Sequence, residues 1–385
     1  MALSSADAME YVLTDPDRLF SNAEGWETLK VLFPGGLMLR DFDDHRAHRR
    51  LMQTAFRKPA MDAYLTMMAP ALARMLRDWP LDTPFDFYAA IKELTLRVGA
   101  HVFMGLALDD PSTDALNRAF IAEVDAAVTV IQKPLPFTKR RRGVNARLML
   151  TDHFRKMIAK RRAGDGLDFF SQMCRATDDD GKGWTDQEIV DHFNFLLMAA
   201  HDTTASALTT MVQALCEHPD WQDRLADECA AVPELTPETL DDFPLTDRVF
   251  REALRLMPPV QITPRRALRD FEWRGHAIPA GTYVSVQNAL IQRDPAFWTN
   301  PDDFDPDRFS ENRAEDRSHR FAWAPFGGGA HKCIGMHFST MQVKAFCHAL
   351  LPTRRIARAD SGEIHWKRMP IPRPDGGLRV VLALR

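Results

Sequence analysis

The run Phe326-Gly327-Gly328-Gly329-Ala330-His331-Lys332-Cys333-Ile334-Gly335 carries the residue types best suited to chemistry in this chain. Glycines before a cysteine let the backbone turn tightly beside a flat ligand. The apolar pattern that follows predicts a helix over 334–351, stopped by Pro352. A cysteine at the start of a helix meets unpaired N–H groups and the positive end of the dipole, which favour the thiolate. A thiolate can bind a metal, and haem iron is one metal that takes it. The plain alternative is a glycine turn followed by a buried, inert cysteine. The other cysteines, Cys174, Cys216, Cys229 and Cys347, make no CxxC pair and no disulfide framework.

Two further clusters stand out. Glu252 and Arg255 lie three apart on one helix face and can pair, as many surface residues do. Ala199-Ala200-His201-Asp202-Thr203-Thr204 places an acid and two threonines midway along an apolar helix. That helix has little use for polar groups there unless something polar faces them. The threonine hydroxyls can instead bond back to the preceding turn. His201 reads as a satisfied or solvated histidine. His45 and His48 offer two metal ligands in H-x-x-H, but no third lies nearby.

These motifs resemble the cytochrome P450 family, whose ligand loop reads F-x-x-G-x-[H/R]-x-C-x-G. Phe326, Gly329, His331, Cys333 and Gly335 match it. The resemblance implies that Cys333 is the axial ligand of a haem iron. It implies that Glu252, Arg255 and Arg308, the last within Pro301–Phe309, form a buried charge network behind the loop. The family's [A/G]-G-x-[D/E]-T-T motif aligns Asp202 with an acid that relays protons and Thr203 with a threonine that hydrogen-bonds dioxygen. Ala200 departs from the usual glycine. His45 with Arg49, Arg265 and His331 match the partners of the haem propionates.

The elements that must position these groups are mostly helices. Apolar spacing predicts helices over 60–78, 87–105, 112–131 and 144–163. The clearest is 186–217, with Thr185 and Glu188 as a capping box and Pro219 as its stop. At about 30 residues it would span roughly 45 Å. Residues 260–290 read as short strands, 294–330 as a long ordered loop, and Arg379-Val380-Val381-Leu382 as a closing strand. The expected class is mainly α with a small β portion, in one domain over 1–385 with the cytochrome P450 fold. Family members usually carry several dozen more residues at the front, so a shortened N-terminal segment and an exposed sheet edge are expected.

Composition sets bounds on function. The 385 residues carry a net charge of -4, with 45% hydrophobic and 26% charged residues, the balance of a globular protein. No basic excess points to nucleic acid. The runs Lys139–Arg142 and Lys160–Arg162 read as solvated faces or loops. No signal peptide and no long apolar run is evident, so a cytoplasmic protein without a membrane anchor is expected. The resemblance implies a monomeric monooxygenase holding haem b. It would insert one atom of dioxygen into a C–H bond. Electrons would come from NAD(P)H through a separate ferredoxin or flavodoxin-type donor and its reductase. For a lipophilic substrate of the terpenoid, steroid or fatty acid class the candidate lining residues are Trp26, Leu29, Phe33, Leu37, Phe195, Met198, Val260, Gln261 and Ile262, each of which reads equally as plain core. The alternatives are a peroxide-using or non-oxygen-activating member, or a haem sensor or carrier, neither of which needs Asp202 and Thr203.

Overall fold

The computed structural model describes residues 1–127, 129, 133–178 and 180–385. The expected helices are present as Lys58–Arg77, Phe87–Met104, Pro111–Ala127, Lys139–Ala163 and Asp186–Glu217. Residues 128, 130 and 131 of the predicted 112–131 helix lie outside the described residues. Helices Ala6–Thr14, Phe42–Met52, Pro219–Ala230 and Pro244–Leu256 complete the layer work, with Met336–Leu350 after the cysteine loop.

Asp186–Glu217 is the central helix. Thr185 accepts from the Glu188 amide at 3.3 Å, and Glu188 accepts from the Thr185 amide at 2.8 Å, so both orphan donors are satisfied. Its middle and C-terminal turns are buried nearly all round, from Thr204 to Val212. Helices Phe87–Met104, Lys139–Ala163 and Pro244–Leu256 pack on it. Ring contacts such as Phe154 with Phe193, 4.9 Å between centroids at 89°, hold the neighbouring layer.

Strands are few and short. One sheet runs Ala2–Leu3, Tyr283–Val286, Thr263–Ala267, Phe20–Ser21, with the first pair parallel and the rest antiparallel. A second joins Phe85–Asp86, Arg379–Leu384 and Arg354–Arg358. The expected exposed edge is thus modified. Ala2–Leu3 covers Tyr283–Val286, and both edge strands of that sheet are two residues long, which offers little template for pairing.

The basic run at 139 corrects the sequence reading. It forms the first turn of Lys139–Ala163, and Arg140 is buried, donating to the Ala126 carbonyl at 3.0 Å. The run at 160 staples the same helix to its neighbours. Arg161 pairs with Asp168 at 2.9 Å and Arg162 with Asp186 at 2.6 Å.

Glu123, fully buried on Pro111–Ala127, accepts from Asn194 Nδ2 on the central helix at 2.8 Å. Burial pushes its carboxyl up to about 8, against smaller opposing effects of Asn194 and Arg147. The neutral acid has a use here. Glu123 Oε2 and Asn194 Oδ1 both lack partners, and an O–H on the first suits the second. An unfolded glutamate ionises near about 4.3, so the folded state binds this proton more tightly. Its contribution is whole at low pH and is lost as pH rises towards about 8. Glu123→Gln keeps the neutral pair. It should therefore be a few kcal/mol more stable than wild type near about pH 9 and nearly equal near about pH 5. Urea melts at the two pH values check this, and a pH-independent difference would contradict it.

Candidate active site

The cysteine loop is closed by the Cys333 amide, which donates to the Phe326 carbonyl at 2.9 Å. Gly327 (φ 68°) and Gly329 (φ 62°) take the left-handed turns this needs. A Cβ on Gly329 would lie 1.8 Å from the Leu13 carbonyl oxygen, and one on Gly328 would lie 2.4 Å from the Phe321 ring. Packing of the loop on the Ala6–Thr14 helix and on Phe321 therefore demands these two glycines. A Cβ on Gly327 or Gly335 would meet nothing within 4 Å.

The helix begins at Met336, with Gly335 as its N-cap, and Cys333 sits before the first turn. This corrects the expectation of a thiol depressed by a helix N-terminus. The side chain is accessible but set deep among protein atoms, and burial pushes the Cys333 thiol up. The Gly335 amide, Arg49 and Lys332 draw it part of the way back. A bound metal cation is what would deprotonate it outright. Among the five cysteines Cys333 alone is exposed. Burial pushes Cys174, Cys216 and Cys229 each up to about 12 and Cys347 higher still, as suits inert side chains.

Four basic side chains gather beside the loop from three separate segments. His45 and Arg49 come from Phe42–Met52, Arg265 from the strand Thr263–Ala267, and His331 from the loop itself. The His45 and His331 rings lie 3.8 Å apart. Burial and then Arg49 hold the His45 proton affinity down to about 4. Burial, His45, Arg265 and Arg49 depress His331 further. Burial lowers Arg265 to about 10 against the pull of Asp41 and Asp15, and among the described residues its guanidinium donates only to the Pro264 carbonyl. Among the described residues Arg49 forms no ion pair with an acid, and His45 Nδ1 is buried without a hydrogen-bond partner. A cluster that suppresses its own charge in this way is suited to an anion with more than one carboxylate. His48, the other half of H-x-x-H, faces His192 at 2.8 Å instead, and no metal-binding group of three appears among the described residues.

Behind the loop lies the charge network. Glu252 accepts from Arg255 Nε at 2.7 Å and Nη2 at 2.8 Å, from Arg308 Nε at 3.0 Å and from the Asp305 amide at 2.9 Å. All three side chains are 1% exposed or less. Two residues missed by sequence reasoning complete it. Glu315 takes Arg308 Nη1 at 3.1 Å. Gln292 donates to the Leu254 and Arg255 carbonyls and accepts from the Ala324 amide at 3.1 Å, tying this helix end to the segment entering the loop. No motif spacing announces either one.

On the central helix, Ala199 is exposed while its neighbours are buried or half-buried. Thr203 Oγ1 donates to the Ala199 carbonyl at 2.7 Å, which is the back-bond to the preceding turn. Its proton is spent there, and its lone pairs stay free to accept. Asp202 pairs with Lys92 Nζ at 2.9 Å and His201 Nδ1 at 3.0 Å. Burial works against this charge, but His201 and Lys92 outweigh it and hold the carboxyl well below the usual range. No direct contact joins Thr203 or Asp202 to Cys333 among the described residues.

Of the expected substrate-facing residues, Leu29, Phe33, Phe195 and Met198 meet in one apolar cluster with Leu32 and Ala127. Phe33 is 1% exposed and Leu37 is buried. Gln261 is buried as well, its amide given to the Pro258 carbonyl. Trp26, Val260 and Ile262 are half-buried.

The family model for cytochrome P450 matches residues 1–359. The chain belongs to the cytochrome P450 family. It is 38% identical to a putative cytochrome P450 136 of Mycobacterium tuberculosis, over all of this chain and 80% of that one. It is 29% identical to a sterol 14alpha-demethylase of Mycolicibacterium vanbaalenii, over 91% of this chain and 80% of that one. Its fold superposes on a retinoic acid-bound cyanobacterial P450, CYP120A1, with a TM-score of 0.92 and 29% identity, covering all of this chain and 89% of the other. The chain is thus a P450 monooxygenase of the haem-thiolate type, with a haem-iron cofactor, a small-molecule substrate and redox partners. None of its described helices is long and apolar enough to cross a membrane.

Proposed function

We propose that this P450 hydroxylates a lipophilic molecule of the terpenoid, steroid or fatty acid class at a C–H bond. It acts as a cytoplasmic, monomeric single domain over residues 1–385. Haem b is the cofactor, and NAD(P)H supplies electrons through a ferredoxin or flavodoxin-type donor and its reductase. The observation that carries the reading is the cradle of Arg49, Arg265, His45 and His331, none hydrogen-bonded to a carboxylate among the described residues, beside the one exposed thiol. Haem fits that pair of features, since its two propionates suit the cradle and its iron takes a thiolate. His45, Arg49, Arg265 and His331 would hold the propionates, Cys333 would take the iron, and Phe326 and Gly335 would flank it. Haem supplies dioxygen activation, aided by electron donation from a thiolate.

The chain's own residues do the rest. Thr203 accepts or donates a hydrogen bond at its hydroxyl, and Asp202 moves a proton by exchanging Lys92 for the distal side. Apolar Leu29, Phe195 and Met198 favour a lipophilic ligand and exclude water. The retinoic acid of the cyanobacterial structure and the sterol of the demethylase's name support that class.

Thr203→Ala tests the distal assignment. It should keep haem and substrate binding while peroxide release per electron rises roughly tenfold or more. Peroxide and product are both quantified against NAD(P)H consumed. Coupling equal to wild type would remove Thr203 from the relay.

A further inference from the structure

The turn that leads into the helix Lys139–Ala163 holds a large apolar side chain out in solvent. Phe137 is 101% exposed, and Leu135 is 52% exposed. Neither hangs on a loose end. The Leu135 carbonyl accepts from the Thr138 amide at 3.2 Å and from Thr138 Oγ1 at 2.7 Å, and Thr138 Oγ1 accepts from the Arg141 amide at 3.2 Å. Phe137 sits inside this knot at φ 64°, a left-handed backbone that is unfavourable for a phenylalanine and that no burial of its ring offsets.

The charges around it have one sign. No Asp or Glu occurs between Asp125 and Asp152, whereas Lys133, Lys139, Arg140, Arg141, Arg142 and Arg147 do. Arg140 turns inward to the Ala126 carbonyl, and Arg147 pairs with Asp191. Lys133, Lys139, Arg141 and Arg142 are exposed and enter no ion pair among the described residues. Two turns further along the helix, Leu148 and Met149 fall on the same outer side as Arg141 and Arg142, and they are 60% and 41% exposed.

We propose that this surface docks on an anionic lipid membrane, with Leu135 and Phe137 among the acyl chains and the four free cations against the headgroups. Charge complementarity selects a negative partner. The aliphatic side chains select lipid over nucleic acid, whose bases stack on rings and not on Leu or Met. Lysine is depleted in protein–protein interfaces, whereas at a membrane its stem lies along lipid while its charge stays in water. A second copy of this chain would set cation against cation. The turn also adjoins the cluster read as substrate-facing, since Ala127 before it and Val144 after it pack with Leu29, Phe195 and Met198. A lipophilic molecule leaving the membrane here would enter beside that cluster. The lipid contact does not rest on that reading, and its test needs no substrate.

The test is cosedimentation of haem-loaded protein with vesicles of phosphatidylcholine, alone or mixed with phosphatidylglycerol. Wild type should pellet with the mixed vesicles at low salt, stay in solution with phosphatidylcholine alone, and leave the mixed vesicles as salt rises. One cation near an anionic surface is worth about fivefold in partition, so Lys139→Gln, Arg141→Gln and Arg142→Gln combined should weaken binding about a hundredfold. Phe137→Ser should weaken it about tenfold or more. All four side chains are exposed, so the melting temperature and the spectrum with carbon monoxide should match wild type. Wild type that stays in solution with the mixed vesicles overturns the proposal without any variant. Undiminished binding of the triple variant overturns it too, because the lipid contact then lies elsewhere. Undiminished binding of Phe137→Ser also overturns it, leaving a surface for polyanions in general.

Discussion

Glu252→Ala should leave little folded protein. The carboxylate collects four hydrogen bonds in a site closed to water, three of them from the guanidiniums of Arg255 and Arg308. Its removal strands Arg255 with only backbone carbonyls as partners, those of Gln292, Pro301 and Asp303. Arg308 keeps Glu315 but loses its Nε partner. Breaking a buried pair by deleting one member costs about 3–5 kcal/mol, because the survivor's charge stays desolvated. Whole domains hold only about 5–15 kcal/mol, so this is a large share. The damage should extend to haem retention. Arg255 and Gln292 link the Pro244–Leu256 helix to Ala324, just ahead of the loop that carries Cys333. Glu252→Gln keeps an acceptor and should lose less. Urea midpoints and the haem-to-protein absorbance ratio give the result, and an alanine variant within about 1 kcal/mol of wild type would show that the network is dispensable.

The second large effect concerns Cys333. Four other cysteines are shielded by the core, three of them in the cluster that joins the central helix to Met336–Leu350. None can replace it without unfolding a helix. Cys333→Ser changes one atom on an exposed side chain, so folding should survive with Glu252 and its partners intact. A hydroxyl is far less acidic than a thiol, and electron donation to iron is lost with the thiolate. Monooxygenase turnover should vanish while the melting temperature of the haem-free chain stays close to wild type.

Much of this was legible in the order of the residues. The capping box of Thr185 and Glu188 marks the start of the central helix because capping is local chemistry. The Cys333 loop is legible because a turn and a helix start depend on a few adjacent residues. Partners distant in sequence were harder. Arg140 reads as one of a charged run, yet the fold buries it under Ala126, since a helix has an inward side wherever another helix packs. Phe33 and Leu37 read equally as pocket lining or plain core, and both are buried, because apolar pattern alone does not separate the two. Gln292 and Glu315 act through contacts made by folding and carry no spacing signal. His201 was read as a satisfied or solvated histidine, and it is buried and satisfied, though its partner, the Lys92 carbonyl, is distant in sequence. The acid and the threonine were placed correctly on the central helix, but their resting bonds point to Lys92 and Ala199.

The central claim is that Cys333 is the thiolate ligand of haem iron. Its most direct test is the absorbance spectrum of the reduced, haem-loaded protein under carbon monoxide, taken for wild type and Cys333→Ser side by side. Wild type should show the strongly red-shifted Soret band of a thiolate-bound iron, and Cys333→Ser should bind haem without that band. If Cys333→Ser keeps the shifted band, another residue holds the iron and the assignment is wrong.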